Sequence, residues 1–306
     1  QTLFHTTEGP SVDFRELSQA ISEAVQQKDY ARFKSLVDDF MTTAKGEDYA
    51  KALCLQADGY VLLDPKHAPL GFVLVGEALP YFAKSPVLRL RALTTALSLC
   101  YLTCDIERAR EFEEDAYSLL LQHASDPHVR AVRHRLQLNL GQVATLRGDY
   151  STAYWHFVQA ANSLTSQDVS EAERRGFESV IQLQTALACL RVRRYYEAQE
   201  ALDLAEQAAP REAVKIRAQV LRIELLRQLG AIEEARALTD SLADRVQTCD
   251  NPDTLTRYYW AASLLAQDSG DTARFHQLLS LAQQTAAEYG YDFLLSEIQR
   301  FLRTPL

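Results

Sequence analysis

The side chains of this chain that could do chemistry are its 7 histidines, 5 cysteines and 41 carboxylates, and their spacing decides what each group could do. His123, His128 and His134 cluster around Pro127. A histidine metal site needs its imidazoles to converge. His123 and His128 straddle a turn between helices, and His134 stands nearly two turns into the next helix. No Cys-x-x-Cys or His-Glu-x-x-His motif occurs, so no metal is expected. Cys100 and Cys104 are four apart and could touch on one helix face, but Cys104 stands at the turn before Asp105. With Cys54, Cys189 and Cys249 they form an odd, scattered set within mainly apolar stretches, as suits reduced buried thiols of a cytoplasmic protein. Glu113-Glu114 and Glu233-Glu234 lie in charge-rich helical stretches and read as solvated faces. There is no glycine-rich phosphate loop and no serine in a strand-turn-helix nucleophile setting. Neither an enzyme nor a cofactor is expected.

Composition narrows the remaining classes. The chain has 306 residues, 47% of them hydrophobic, and a mean hydropathy of -0.21. It is too apolar for a disordered protein. Its length fits two compact domains or one repeat array that needs no single core. A net charge of -9 argues against a surface built for nucleic acid, while leaving room for a local basic groove. No stretch approaches the roughly 20 continuous apolar residues of a membrane span. The chain begins at Gln1, and a fragment or processed product with a module beyond it is the expectation.

Whatever binds must be positioned by helices, because strand signals are nearly absent. Helical periodicity runs from about Phe14 to about Leu302. Ser85-Pro86, Asp126-Pro127 and Asn251-Pro252 each set a capping residue before a first-turn proline, and Ser170 with Glu173 forms a capping box. The stretch LNLGQVATLRGDYSTAYWHFVQAANSL (138–164) reads as helix, short turn, helix, with Tyr150, Ala153, Phe157 and Ala160 after the turn. The same offsets recur and give the anchors Phe33, Gly71, Ala109, Ala153, Ala198, Ala235 and Phe275, spaced by roughly 37 to 45 residues, the range of stacked helical hairpins. Gly59, Gly141 and Ala186 each sit twelve residues before an anchor. A glycine inside a helix costs about 1 kcal/mol relative to alanine, so these small residues are expected where the two helices of a hairpin approach closely.

The pattern Leu140-Gly141, Ala153, Phe157, Ala160, extended by Ala198, Ala205 and Pro210, resembles the tetratricopeptide repeat (TPR). The resemblance covers most of the chain. It implies an all-α, right-handed superhelical solenoid of about seven antiparallel hairpins. Spacings above that family's roughly 34 residues imply some longer helices. Long degenerate repeats of this kind resemble the sensor arrays of MalT-like bacterial transcription regulators and the peptide-pheromone receptors of Gram-positive bacteria, in which a separate DNA-binding or ATPase module carries the output. One TPR-like domain over 1–306 is expected, with 1–12 a flexible N-terminal segment and 291–302 a capping helix. In that helix Phe293, Leu294, Ile298 and Phe301 would pack, and Asp292, Glu297 and Arg300 would face water.

In stacked hairpins the first helices line the concave side. Alignment on the small anchors turns Tyr60, Arg91, Tyr101, Arg135, Gln142, Arg217, Arg227, Arg257 and Trp260 inward, with a leucine patch at Leu183, Leu187 and Leu190. Arginine forks grip carboxylates, and aromatics supply contact area. The groove is therefore expected to take a peptide, a protein tail or a small anionic effector. Direct nucleic-acid binding and membrane association are not expected, and a homo-oligomer is compatible with the surface. Two functions follow: an effector- or protein-binding sensor domain of a bacterial transcription regulator, or a protein-protein interaction scaffold without a small effector.

Overall fold

The computed structural model describes residues 12–164, 170–249 and 251–303; the flexible segment expected at 1–12 lies, but for Val12, outside them. These residues form fifteen α-helices. The first eight are α1 (Val12–Gln26), α2 (Tyr30–Met41), α3 (Glu47–Leu62), α4 (Gly71–Ala78), α5 (Pro86–Thr103), α6 (Ile106–Gln122), α7 (Pro127–Leu146) and α8 (Tyr150–Ser163). The rest are α9 (Glu171–Arg191), α10 (Tyr195–Ala208), α11 (Glu212–Gln228), α12 (Ile232–Thr248), α13 (Pro252–Asp268), α14 (Thr272–Glu288) and α15 (Asp292–Arg303). Their order is that of seven helix-turn-helix pairs followed by one more helix, and no strand occurs among the described residues.

One turn design recurs. A residue with positive φ follows the first helix, and the next residue donates its N–H to a carbonyl five positions back. Asp29, Asp105, Asp149, Arg194, Ala231 and Asp271 make that bond to Ala24, Cys100, Ala144, Cys189, Leu226 and Ala266 at 2.9–3.1 Å. This is the closing bond of a left-handed helix C-terminus. Glycine fills the left-handed position at Gly148, Gly230 and Gly270, whereas Lys28, Cys104 and Arg193 hold it with φ of 53–60°. The aspartate then caps the second helix, its carboxylate accepting from the backbone N–H three residues on: Asp29 from Arg32, Asp105 from Arg108, Asp149 from Thr152 and Asp271 from Arg274. The α3–α4 pair departs from this. Two prolines there impose a 3-10 segment, Pro65–Leu70, and α4 is only 8 residues long.

The helices gather into two compact units, divided between Val143 and Ala144 within α7. In the first unit, one core joins α1, α2, α3 and the start of α5 through Ile21, Phe33, Val37, Leu53 and Leu88. Another joins α5, α6 and α7 through Leu93, Leu97, Ala109, Ala116, Leu136 and Leu140. In the second unit the cores fall on α9–α10–α11, α11–α12–α13 and α13–α14–α15. A shared first helix links each core to the next, so within a unit every hairpin packs on its sequence neighbours.

The small anchors Ala109, Ala153, Ala186, Ala198 and Ala235 have no exposed surface, and Gly71 and Gly141 are buried. Gly59 and Gly71 were expected to admit one another's helix. Instead a Cβ at Gly59 would stand 2.3 Å from the Phe33 ring of the preceding hairpin, and one at Gly71 would stand 2.8 Å from Leu99 of the following hairpin. The space they leave receives a large side chain of an adjacent repeat, not the partner helix.

Candidate functional site

The first helices carry the polar chemistry in both units. In the first unit, Asp58 of α3 is buried and accepts from Thr95 Oγ1 of α5 at 2.8 Å. Burial pushes its carboxyl up to about 7, against the Thr95 hydrogen bond and the Arg135 charge. Arg91 of α5 is brought down to about 9, by burial and then by the neighbouring Arg135 guanidinium. Asn139 of α7 donates to the Thr94 carbonyl at 2.9 Å and to Ser98 Oγ. Tyr60 and Gln142 are half-buried, and Tyr101 is buried.

In the second unit, guanidiniums and carboxylates from four helices form one network. Arg217 of α11 pairs with Asp253 of α13 at 2.7 Å. Asp253 also accepts from Arg257, one helical turn on, at 3.1 Å. Arg257 reaches Glu297 of α15 at 3.2 Å, and Arg191 of α9 reaches the other oxygen of Glu297 at 2.9 Å. Arg191 also pairs with Glu224 of α11, which accepts from Gln228 as well. Burial alone would push the Glu297 carboxyl up; Arg257 and Arg191 overcome it and hold it below the usual range. Burial likewise works against the Arg191 cation, and Glu224 and Glu297 more than offset it. The Arg191 guanidinium lies over the Trp260 ring, 5.3 Å from its centroid, and the Phe301 ring meets Trp260 edge-on at 5.7 Å. Beside this network Arg227 forks onto Asp268 at 2.6 and 3.0 Å.

Thus Arg217, Arg257 and Trp260 do come together, but not as open cations. Arg217, Arg227 and Arg257 are each neutralised by a carboxylate of a neighbouring helix, and Trp260 is only 4% exposed. Leu183, Leu187 and Leu190 are core residues between α9, α10 and α11. The largest departure is in α15. Glu297 and Arg300, expected in water, are turned inward: Glu297 is 7% exposed, and Arg300 donates to the carbonyls of Thr145 and Leu146 and to the Tyr150 hydroxyl. A signal for this was present. Glu297 falls four after Phe293, three after Leu294, one before Ile298 and four before Phe301, which is the centre of the apolar face. Its charge alone suggested solvent.

The histidines do not converge. His134 is buried, while His128 is exposed, and no group of three His, Cys, Asp or Glu side chains placed to hold a metal occurs among the described residues. All five cysteines are free thiols. No helix of the described residues is long and apolar enough to cross a membrane.

The fold is similar to the crystal structure of the apo form of RapI, with a TM-score of 0.64 and 12% identity over 90% of this chain and 98% of that one. PilF of Pseudomonas aeruginosa aligns with a TM-score of 0.48 and 20% identity over 84% of this chain and 99% of that one. No protein-family model and no curated protein matches the chain. Paired antiparallel helices followed by a C-terminal helix make this an all-α, TPR-like fold.

Proposed function

We propose that this chain is a protein-interaction domain that takes a segment of a partner protein on the face formed by its first helices. The observation that carries this reading is the setting of Glu297. A carboxylate borne on a helix outside the hairpins is received between guanidiniums of two first helices. Arginine forks orient such a carboxylate, and the adjoining Trp260 supplies apolar contact area.

A small anionic effector is less well served. Arg217, Arg227 and Arg257 already hold carboxylates of their own chain, and an anion would have to break pairs that are largely withdrawn from water. The scaffold reading, docking of protein segments without an effector, is therefore ahead. The second reading is the sensor part of a larger, cytoplasmic bacterial transcription regulator. The likeness of the long degenerate repeats to such arrays supports it, and a DNA-binding or nucleotide-binding module elsewhere in the full-length gene product would be its mark. Direct binding of nucleic acid by this chain is disfavoured by its net charge of -9.

The test sets the immobilised chain beside its Arg217→Ala/Arg227→Ala variant. A partner retained by the first and lost from the second is the expected result. A partner held equally by both would move the binding surface elsewhere.

A further inference from the structure

α15 is joined to α14 by a short turn at Gly290, shares a core with α13 and α14, and also reaches helices far back in the chain. Its contacts reach 106 positions back to Arg191 and 155 back to Thr145. Leu294 and Ile298 are fully buried, and Phe293 nearly so, around the carboxylate of Glu297. An isolated helix of 12 residues is marginal in water, so α15 owes its order to the surface on which it lies.

That surface does not depend on Glu297 for every partner. Arg191 keeps Glu224, and Arg257 keeps Asp253, when Glu297 is taken away. Taking Glu297 away removes one negative charge from beside Arg191 and Arg257, so the emptied face is one charge more positive than the filled one. It also holds Trp260 Nε1, a buried donor with no acceptor among the described residues even while α15 is in place. The resident helix satisfies the charge of this face and leaves its indole N–H unmet.

We propose that the first-helix face of the second unit is a receptor for an amphipathic helical segment of a partner protein with one acidic residue at the centre of its apolar face, and that α15 is the chain's own occupant, given up when the partner binds. This rests on the protein-interaction reading above and names the partner's chemistry. The partner matches the pattern of α15, with apolar residues three and four before, one after and four after the acid. A hydrogen-bond acceptor facing Trp260 would let it outcompete the resident helix.

The experiment uses the full chain and a synthetic peptide of residues 291–303, YDFLLSEIQRFLR, with calorimetry as the readout. Wild type should bind the peptide weakly, because the tethered helix competes at high effective concentration. Glu297→Ala in the chain loosens the resident and should tighten peptide binding at least tenfold. The peptide with glutamine in place of its glutamate should lose at least tenfold on that variant. A folded Glu297→Ala chain that binds no better than wild type, or that binds both peptides alike, overturns the proposal. Should that variant not fold, hydrogen exchange on wild type decides. Amides of α15 exchanging before those of α13 and α14 support release, and exchange only with global unfolding overturns it. If the peptide fails while a captured partner still depends on Arg217 and Arg227, only the role of α15 falls. If both fail, the interaction reading falls with it.

Discussion

The two units place arginines at corresponding positions of their first helices, and a buried carboxyl beside them is shifted in opposite directions. In the first, burial and then the Arg135 guanidinium bring Arg91 down to about 9, and burial pushes the Asp58 carboxyl up to about 7. In the second, Asp253, Asp268, Glu224 and Glu297 meet the guanidiniums directly, and Glu297 is held below its ordinary range. The repeat fixes where a side chain points. What meets its charge is decided by the residue that the next repeat, or α15, happens to bring.

Breaking the matched network should have the largest effect. Arg257→Ala leaves Asp253 and Glu297 short of a cation in a buried setting and should cost about 3–5 kcal/mol in chemical denaturation. Thr95→Val in the first unit removes a hydroxyl that donates to Asp58 and lies within hydrogen-bond reach of the Arg91 carbonyl, with no charge lost, and should cost about 1–2 kcal/mol. Equal losses would erase the distinction between the units.

Acid should move the units in opposite directions. Asp58 is held at about 7, above its ordinary 3.8, so the folded first unit keeps a proton that the unfolded chain has lost. Its stability should rise as pH falls from 7.5 to 5. His156 in the second unit is buried and brought down to about 4 from 6.5, so there the unfolded chain takes up the proton first and stability should fall as pH drops through 6.5. Each shift is worth about 2–3 kcal/mol over that window. Hydrogen exchange at pH 7.5 and 5, corrected for intrinsic rates, reads the units separately. Asp58→Asn should flatten the first unit's response, and an unchanged slope would remove Asp58 from the account.

Two glycines sharpen the comparison at smaller scale. Gly59→Ala in α3 drives a Cβ into the Phe33 ring and should cost about 1–2 kcal/mol, overpacking outweighing the regained helix propensity. Gly176→Ala in α9 meets nothing within 4 Å and should instead raise stability by about 0.5–1 kcal/mol. Thermal midpoints that move the same way for both would show that Gly59 is not a packing contact.

Much of the fold was legible because its signals are local. Asp29, Asp105, Asp149 and Asp271 cap helices where their turns were read, and Ser85, Ser170 and Asn251 do so too. The short-range periodicity that marks Ala109 or Ala198 as an inner face also turned Arg217, Arg257 and Trp260 toward one surface. What stayed illegible is the identity of each neighbour. Periodicity shows a helix its own face and not which helix approaches it, so the spacing pairs Gly59 with Gly71 whereas Phe33 fills its space. Carboxylates are usually solvated, and by that rule alone Glu297 belongs in water. Its burial depends on Arg191 and Arg257, 106 and 40 positions away, and no local pattern reports them.

The indole of Trp260 sits under Phe301 with a guanidinium over its face, while Trp155, the chain's other tryptophan, is 53% exposed. Buried and hydrated indoles emit at different wavelengths. Trp155, being half-exposed, should emit as a wetted chromophore, so water reaching Trp260 would appear as a red shift on a steady background. The pair therefore forms an unlabelled optical gauge of α15: departure of Phe301 would be visible in the protein's own emission, in real time and at any concentration where the tryptophans can be seen.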